Sequence, residues 1–393
     1  MDDVFDLCAK VIGPNYYEAF DLFSAIQRYD LRSTPEQWRI AKTIDGKIVA
    51  HVGVSLRDIR IGEALLSVGG IRDIAVHPDY AKDRPDLILI DQAVKYLKGA
   101  KMDIVVAFGD ERDYRDAGFV GVLPDYRFSI PAGEAEYLKR NLKFNTFDVK
   151  SVKRLNQLYL ESYKAVPAHV VRDEGVFLAN LKRGRIMENL KAYPVHTFGK
   201  DQTISAYIIM HDERIVEACA EDEEGWETLV SFLCDRATAE RRENMELNGL
   251  SFSHPIIKHC RRYRHRAEKL HRLKNCGMAK ILGLRRVLEK LMPELSARMS
   301  SSGFKQTQSF QCVNFEVGKE KLSVVFDGSG VRLEMPSAKP DMTIASTEEA
   351  FTQMVFGSLA IDEIADVTIT GSTFLAPILF PQDNPQIAQL DRF

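Results

Sequence analysis

No stretch of this 393-residue chain approaches the roughly 18 consecutive apolar residues that a membrane-spanning helix requires, so no membrane partner is expected. Charge of one sign is not in excess either. Lys and Arg number 53 against 56 Asp and Glu, and a net charge of −3 gives no broad field for nucleic acid or an anionic surface. Cysteine is sparse, with six residues at positions 8, 219, 234, 260, 276 and 312 and no CxxC pair among them. In a chain of this size that pattern reads as reduced thiols in a cytoplasmic protein and not as a disulfide framework. The start, Met1-Asp2-Asp3-Val4, is acidic where a signal peptide would be basic. Internal repeats and low-complexity tracts are missing as well, which excludes solenoids and disordered arms as the organising plan.

What is present is an ordinary globular composition, 45% hydrophobic and 28% charged, in a chain long enough for two or three domains. Residues 3–29 carry apolar side chains at helical spacing, followed by strands over 39–44 and 47–54 joined at Asp45-Gly46, a strong hairpin signal. Ile59 to Leu65 and Gly70 to Val76 read as two more strands with a turn between them. The second ends at His77-Pro78, because proline lacks the amide that a ladder needs. A helix over 85–98, a buried strand at Ile104 to Phe108 and a short helix over 110–117, closed near Gly118, complete a first module over residues 1–130. A second module, 131–276, reads as helical from about 148 to 190, then as a hairpin and a helix from Glu224 to Ala239. Its segment 258–274 carries eight Lys and Arg against the single Glu268 and reads as a solvated helix face. The third module, 277–393, opens with an amphipathic helix over 287–299, continues with alternating strands from 309 to 335, and is helical over 347–356, 358–365 and 372–379. The class is therefore α/β (α+β) with mixed sheets.

Two segments carry a family likeness. Gly69-Gly70-Ile71-Arg72-Asp73-Ile74-Ala75-Val76-His77-Pro78-Asp79-Tyr80 resembles the core strand of the GNAT N-acetyltransferases with the turn after it, and Tyr114-Arg115-Asp116-Ala117-Gly118-Phe119 resembles their later signature. Two GNAT-like modules, the second without motifs of its own, precede a third that resembles a sterol carrier protein. In that third module Phe356-Gly357-Ser358-Leu359 and residues 375–381 carry the likeness, and the chain ends in an aromatic residue. Over nearly its whole length the chain thus resembles the Eis-type (enhanced intracellular survival) acetyltransferases.

The resemblance implies acetyl-CoA as cosubstrate, a small-molecule primary amine (aminoglycoside-like or polyamine-like) as acceptor, and a homo-oligomer. Ile74, Ala75 and Val76 would offer backbone groups to the donor's pantetheine arm, and Lys82 and Arg84 would face its phosphates. Tyr114 would protonate the departing thiolate, a role open to a phenol; the alternative is a packing tyrosine whose hydroxyl is satisfied by backbone. The carboxylate of Phe393 would act as the base if the tail folds back, and as a frayed end otherwise. No metal is expected, since the His and Cys residues of the second module fit no common zinc spacing and are interleaved with arginines.

One stretch departs from the family pattern. Where a glycine-rich turn would cradle the diphosphate, this chain has Ala81-Lys82-Asp83-Arg84-Pro85-Asp86. A carboxylate about 6 Å from a phosphate charge repels it by roughly 3 kcal/mol at an effective dielectric near 20. Pro85 suits a first helical turn, so the fold is unaffected by the change. Two readings follow: an acetyltransferase, or a catalytically reduced GNAT-like scaffold that binds a ligand or partner without transfer.

Overall fold

The computed structural model describes residues 2–12, 17, 20, 30, 32–135, 137–138, 142–145, 147–187, 194–200, 203–211, 214–302, 311–327 and 330–392. The chain opens with helix α1 (Asp2–Val11) and strands β1 (Trp38–Lys42), β2 (Ile48–Ile61) and β3 (Ala64–Val76). Helix α2 (Pro85–Gly99), β4 (Ile104–Gly109), the single-turn α3 (Glu111–Tyr114) and β5 (Val120–Leu123) follow. Next come β6 (Asp125–Pro131), β7 (Lys143–Asn145), α4 (Val152–Tyr163), β8 (His169–Val171) and α5 (Glu174–Met187). Strands β9 (Val195–Lys200), β10 (Thr203–His211) and β11 (Arg214–Ala220) lead into α6 (Glu223–Ala239), β12 (Asn244–Glu246), α7 (Pro255–Cys260), β13 (Arg266–Leu270) and β14 (Cys276–Ile281). The last part holds α8 (Leu284–Ser301), β15 (Gln311–Val317), β16 (Glu320–Asp327), β17 (Gly330–Glu334), β18 (Met342–Ser346), α9 (Glu348–Phe356), β19 (Val367–Gly371) and α10 (Ala376–Leu379).

Four sheets organise these elements, and the mixed α/β class holds. The first has the order β1-β2-β3-β4-β14-β5, with β8 also paired to β2. Only β3 and β4 run parallel in it. The second sheet is β11-β10-β9-β7, the third β12-β6-β13, and the fourth β17-β16-β15-β18-β19. The expected boundary at 276/277 falls inside β14, whose residues pair along the whole of β4 and then with β5.

The β2–β3 hairpin turns earlier than the sequence suggested, at Gly62-Glu63, so that β2 ends at Ile61 and β3 is unbroken from Ala64 to Val76. Gly62 has φ +55°, and a side chain there would meet the Glu294 carboxylate of α8, which accepts a hydrogen bond from Glu63 N at 2.7 Å. This contact docks the hairpin on α8. Behind it Ile59, Leu66, Val68 and Ile104 share one core with Leu288 and Leu295 of α8 and with Phe315 and Phe351. On the other face of the sheet, α2 packs through Leu89, Ile90, Ala93 and Leu97.

Three further expectations change. The helix expected over 148–190 is interrupted by β8, because His169–Val171 finds an edge on β2 at Asp58–Arg60. The basic segment is the short α7 followed by β13, an edge strand whose long cationic side chains discourage pairing with another chain. In place of a helix over 358–365 there is a single turn at Ile361–Glu363. All six cysteines are buried thiols, none of them in a disulfide. Among the described residues no helix is long and apolar enough to cross a membrane.

Candidate functional site

The first sheet splits at its centre. β3 pairs with β4 only from Val68 to Gly70, opposite Ile104 to Val106, and then leaves it. Its remaining residues, Ile71 to Val76, stay paired to β2 alone, across a bulge where the register shifts opposite His51–Gly53. Asp73 in that bulge has φ +50°, an uncommon backbone for a residue with a side chain and one that clusters at functional sites. Ile74, Ala75 and Val76 thus lie on the departing strand with no strand on their β4 side. Their side chains are core: Ala75 packs with Val4 and Phe5 of α1, while Ile74 and Val76 lean on the cluster under α2.

Tyr114 stands at the end of α3, just beyond the strand that β3 leaves. It is 5% exposed, meets Phe119 edge-on at 5.4 Å, and packs against Gly109, where an added Cβ would lie 3.0 Å from its ring. Its hydroxyl makes no hydrogen bond to another described residue. Burial, with smaller contributions from Asp113 and Asp86, pushes the phenol up to about 12. Tyr114 therefore keeps its proton at any physiological pH and is a donor, not a base.

The turn before α2 has a form of its own. His77 accepts a hydrogen bond from Asp79 N and opens a turn over Pro78–Asp83. Arg84 follows with φ +46°, and Pro85 begins the helix. The Arg84 guanidinium holds Asp86 at 3.0–3.3 Å and Asp113 at 3.1 Å. Its pKa is raised first by the Asp86 hydrogen bond, with the Asp113 bond adding to it. A cationic strap thus joins the start of α2 to the residue preceding Tyr114. Lys82 is exposed. Among the amides a phosphate would need, Leu87 N already donates to Arg84 O and Arg84 N to Ala81 O.

The C-terminal tail is docked. Tyr126 Oη donates to Pro385 O, Gln386 N donates to Pro167 O, and Ser251 N donates to Gln386 Oε1. Ala388 and Leu390 are buried in one core with Tyr159 and Phe177. Asp391 is wholly buried against Arg172, and the Arg392 guanidinium lies 5.0 Å above the Phe108 ring of β4. Phe393 lies outside the described residues. The tail therefore reaches the strand that borders the split.

Asp113, Arg172 and Asp391 escaped the sequence reading. Glu217 offered a usable signal, as a lone carboxylate inside the apolar strand Arg-Ile-Val-Glu-Ala-Cys-Ala, since a charge so placed needs a buried partner. On the second module, Glu223, Glu227 and His259 bring ligand atoms within 4.8 Å of one another, but the Arg262 guanidinium bonds both carboxylates and lies against His259. That constellation is an ion-pair cluster built around a cation.

No protein-family model and no curated protein matches the sequence. Solved structures do match over its whole length. A GCN5-related N-acetyltransferase from Anabaena variabilis superposes with a TM-score of 0.69 at 12% identity, over 100% of this chain and 97% of that one. One from Kribbella flavida gives 0.68 at 15% identity, over 100% and 95%. The fold is that of the GCN5-related N-acetyltransferases. Eis1 from Mycobacterium abscessus matches with a TM-score of 0.58 at 12% identity, over 94% of this chain and 96% of that one.

Proposed function

We propose that this chain is an acyltransferase of Eis-type arrangement, with a third module resembling a sterol carrier protein, that moves an acetyl group from acetyl-CoA to a primary amine of a small molecule. The acceptor class is aminoglycoside-like or polyamine-like, and we place the protein in the cytoplasm as a homo-oligomer with no nucleic acid or membrane partner. One observation carries the reading: β3 leaves β4 after Gly70 while Tyr114 and the docked tail converge on β4. The backbone groups of Ile74 to Val76 on the vacated side can pair with the amides of the donor's pantetheine arm, as a neighbouring strand would. The amine nitrogen attacks the thioester carbonyl carbon, the C–S bond breaks, and the thiolate departs with a proton supplied by Tyr114. The proton lost by the amine passes to a base, a role we assign to the terminal carboxylate of Phe393.

The strap of Arg84 favours a second reading. With its guanidinium on Asp86 and Asp113, the turn that should receive a diphosphate holds its own counter-ion. On this reading the chain is a GNAT-like scaffold that binds a ligand or partner and transfers nothing. Calorimetric titration with acetyl-CoA decides between them. The enzyme reading expects micromolar binding; binding absent up to millimolar donor overturns it and leaves the scaffold.

A further inference from the structure

Among the described residues, the most heavily buried ion pairs lie away from the split, and they hold the tail. Arg172 follows β8, the strand that pairs with β2 of the first sheet. Its side chain is fully buried, as are those of Glu217 and Asp391. Arg172 Nη1 donates to both carboxylate oxygens of Asp391, at 2.9 and 3.0 Å, while Nη2 donates to Glu217 Oε1 at 2.7 Å. Asn180 of α5 adds a bond to Asp391 Oδ1 at 3.0 Å. The guanidinium plane is covered by the Tyr159 ring at 3.7 Å and the Phe177 ring at 4.3 Å.

A carboxylate taken out of water is costly unless fully partnered, and a hydrophobic side chain would serve as well for simple packing. Two carboxyls meet one cation here. Burial pushes the Glu217 carboxyl up, while the Arg172 charge and the hydrogen bonds donated by Arg172 and Tyr207 Oη pull it back down. The ion pair also has a fixed register. Moving the tail by one residue would withdraw Asp391 from Arg172 and Asn180 and lift Arg392 from Phe108.

We infer that Arg172, Asn180 and Asp391 form a latch that sets the register of the tail and so holds Arg392 against Phe108 of β4, beside the split between β3 and β4. These are positioning residues, acting through the tail they hold. The inference rests on the acyltransferase reading for its purpose, but the latch itself is tested without it.

The test is trimming of the untagged chain end by carboxypeptidase Y, followed by intact mass, together with acetyl-transfer kinetics. The wild type should resist digestion beyond its last two residues, and Asp391→Asn should lose residues 388–391 at least about tenfold faster, as expected for loss of a charge-assisted pair. Unchanged trimming overturns the latch whatever the activity does. Faster trimming with a fall in kcat and an unchanged KM for the donor supports the latch and its purpose. Faster trimming with unchanged turnover keeps the latch and removes the chain end from the reaction. Should Asp391→Asn fail to fold, Asn180→Ala, which deletes one bond without exposing a buried charge, should raise trimming about fivefold, and no change there overturns the inference.

Discussion

A phenol enclosed almost entirely by protein gives up its proton reluctantly, and that reluctance has a use when the partner is a departing thiolate. Tyr114 is held up at about 12, first by burial, so its protonated form is complete across the whole working range of pH. The sign follows: the donor is lost only as pH rises through about 12, and no alkaline limb below about pH 10 should come from this residue. Tyr114→Phe keeps the ring against Phe119 and Gly109 and removes only the hydroxyl. Steady-state kinetics should show kcat reduced by about 10²-fold, the lower range for acid–base assistance, with little change in KM. A variant retaining full kcat would make Tyr114 a packing residue. The tyrosine was legible in the sequence because Gly-Phe follows it at a fixed distance. Asp113 beside it was not, since an exposed carboxylate in a charged turn looks like any other until Arg84 reaches across to it.

At the scale of elements, the start of α2 is where sequence and structure agree most closely. Pro85 was expected to suit a first helical turn, and it occupies that position. The turn that stands in place of the glycines commits two N–H groups to its own carbonyls, Arg84 N to Ala81 O and Leu87 N to Arg84 O. What no spacing rule conveys is the strap, because it joins residues 29 apart through a long side chain. Arg84 and Asp113 are each about half exposed, so the strap is screened and weak enough to exchange. Asp113→Asn removes one repelling carboxylate and leaves the Arg84 guanidinium paired to Asp86 alone, with more of its charge available to a diphosphate. Calorimetry on this variant should show acetyl-CoA binding about tenfold tighter than wild type, given the size of a single charge interaction at that distance. The gain should shrink as salt is raised. Unchanged affinity at low salt would mean that the donor's phosphates lie elsewhere. The basic segment teaches the converse. The expected solvated helix face is in part an edge strand, Arg266–Leu270, with Lys269 half-buried and donating to Asp383 O, and a run of charge has no period by which to tell strand from helix.

At the scale of the molecule, the first sheet is completed by strands that the chain lends backwards. β14 lies between β4 and β5, and β8 lies on β2, so the first sheet depends on residues 169–171 and 276–281. Neither segment carries any sign of its destination: Cys276 to Ile281 is a short apolar strand, and only the open edge of β4 gives it a place. Gly277 permits the insertion, since a Cβ there would press on Leu123 and Phe108 from both sides. The periodicity of the parent strands was readable, but pairing across 170 residues is set by which edges remain open once local hairpins have formed. A fragment of residues 1–130 should therefore not fold alone. It would leave β4 and β5 each with an unpaired edge and would expose the Ile59, Leu66, Val68 and Ile104 face that α8 and the fourth sheet cover. Expressed alone it should aggregate, and co-expressed with 131–393 it should elute as a single soluble complex by size-exclusion chromatography. A monomeric fragment with a cooperative melt would show that the borrowed strands are dispensable. In that case the split between β3 and β4 would belong to the first module alone, and the tail would be an addition to a site already complete.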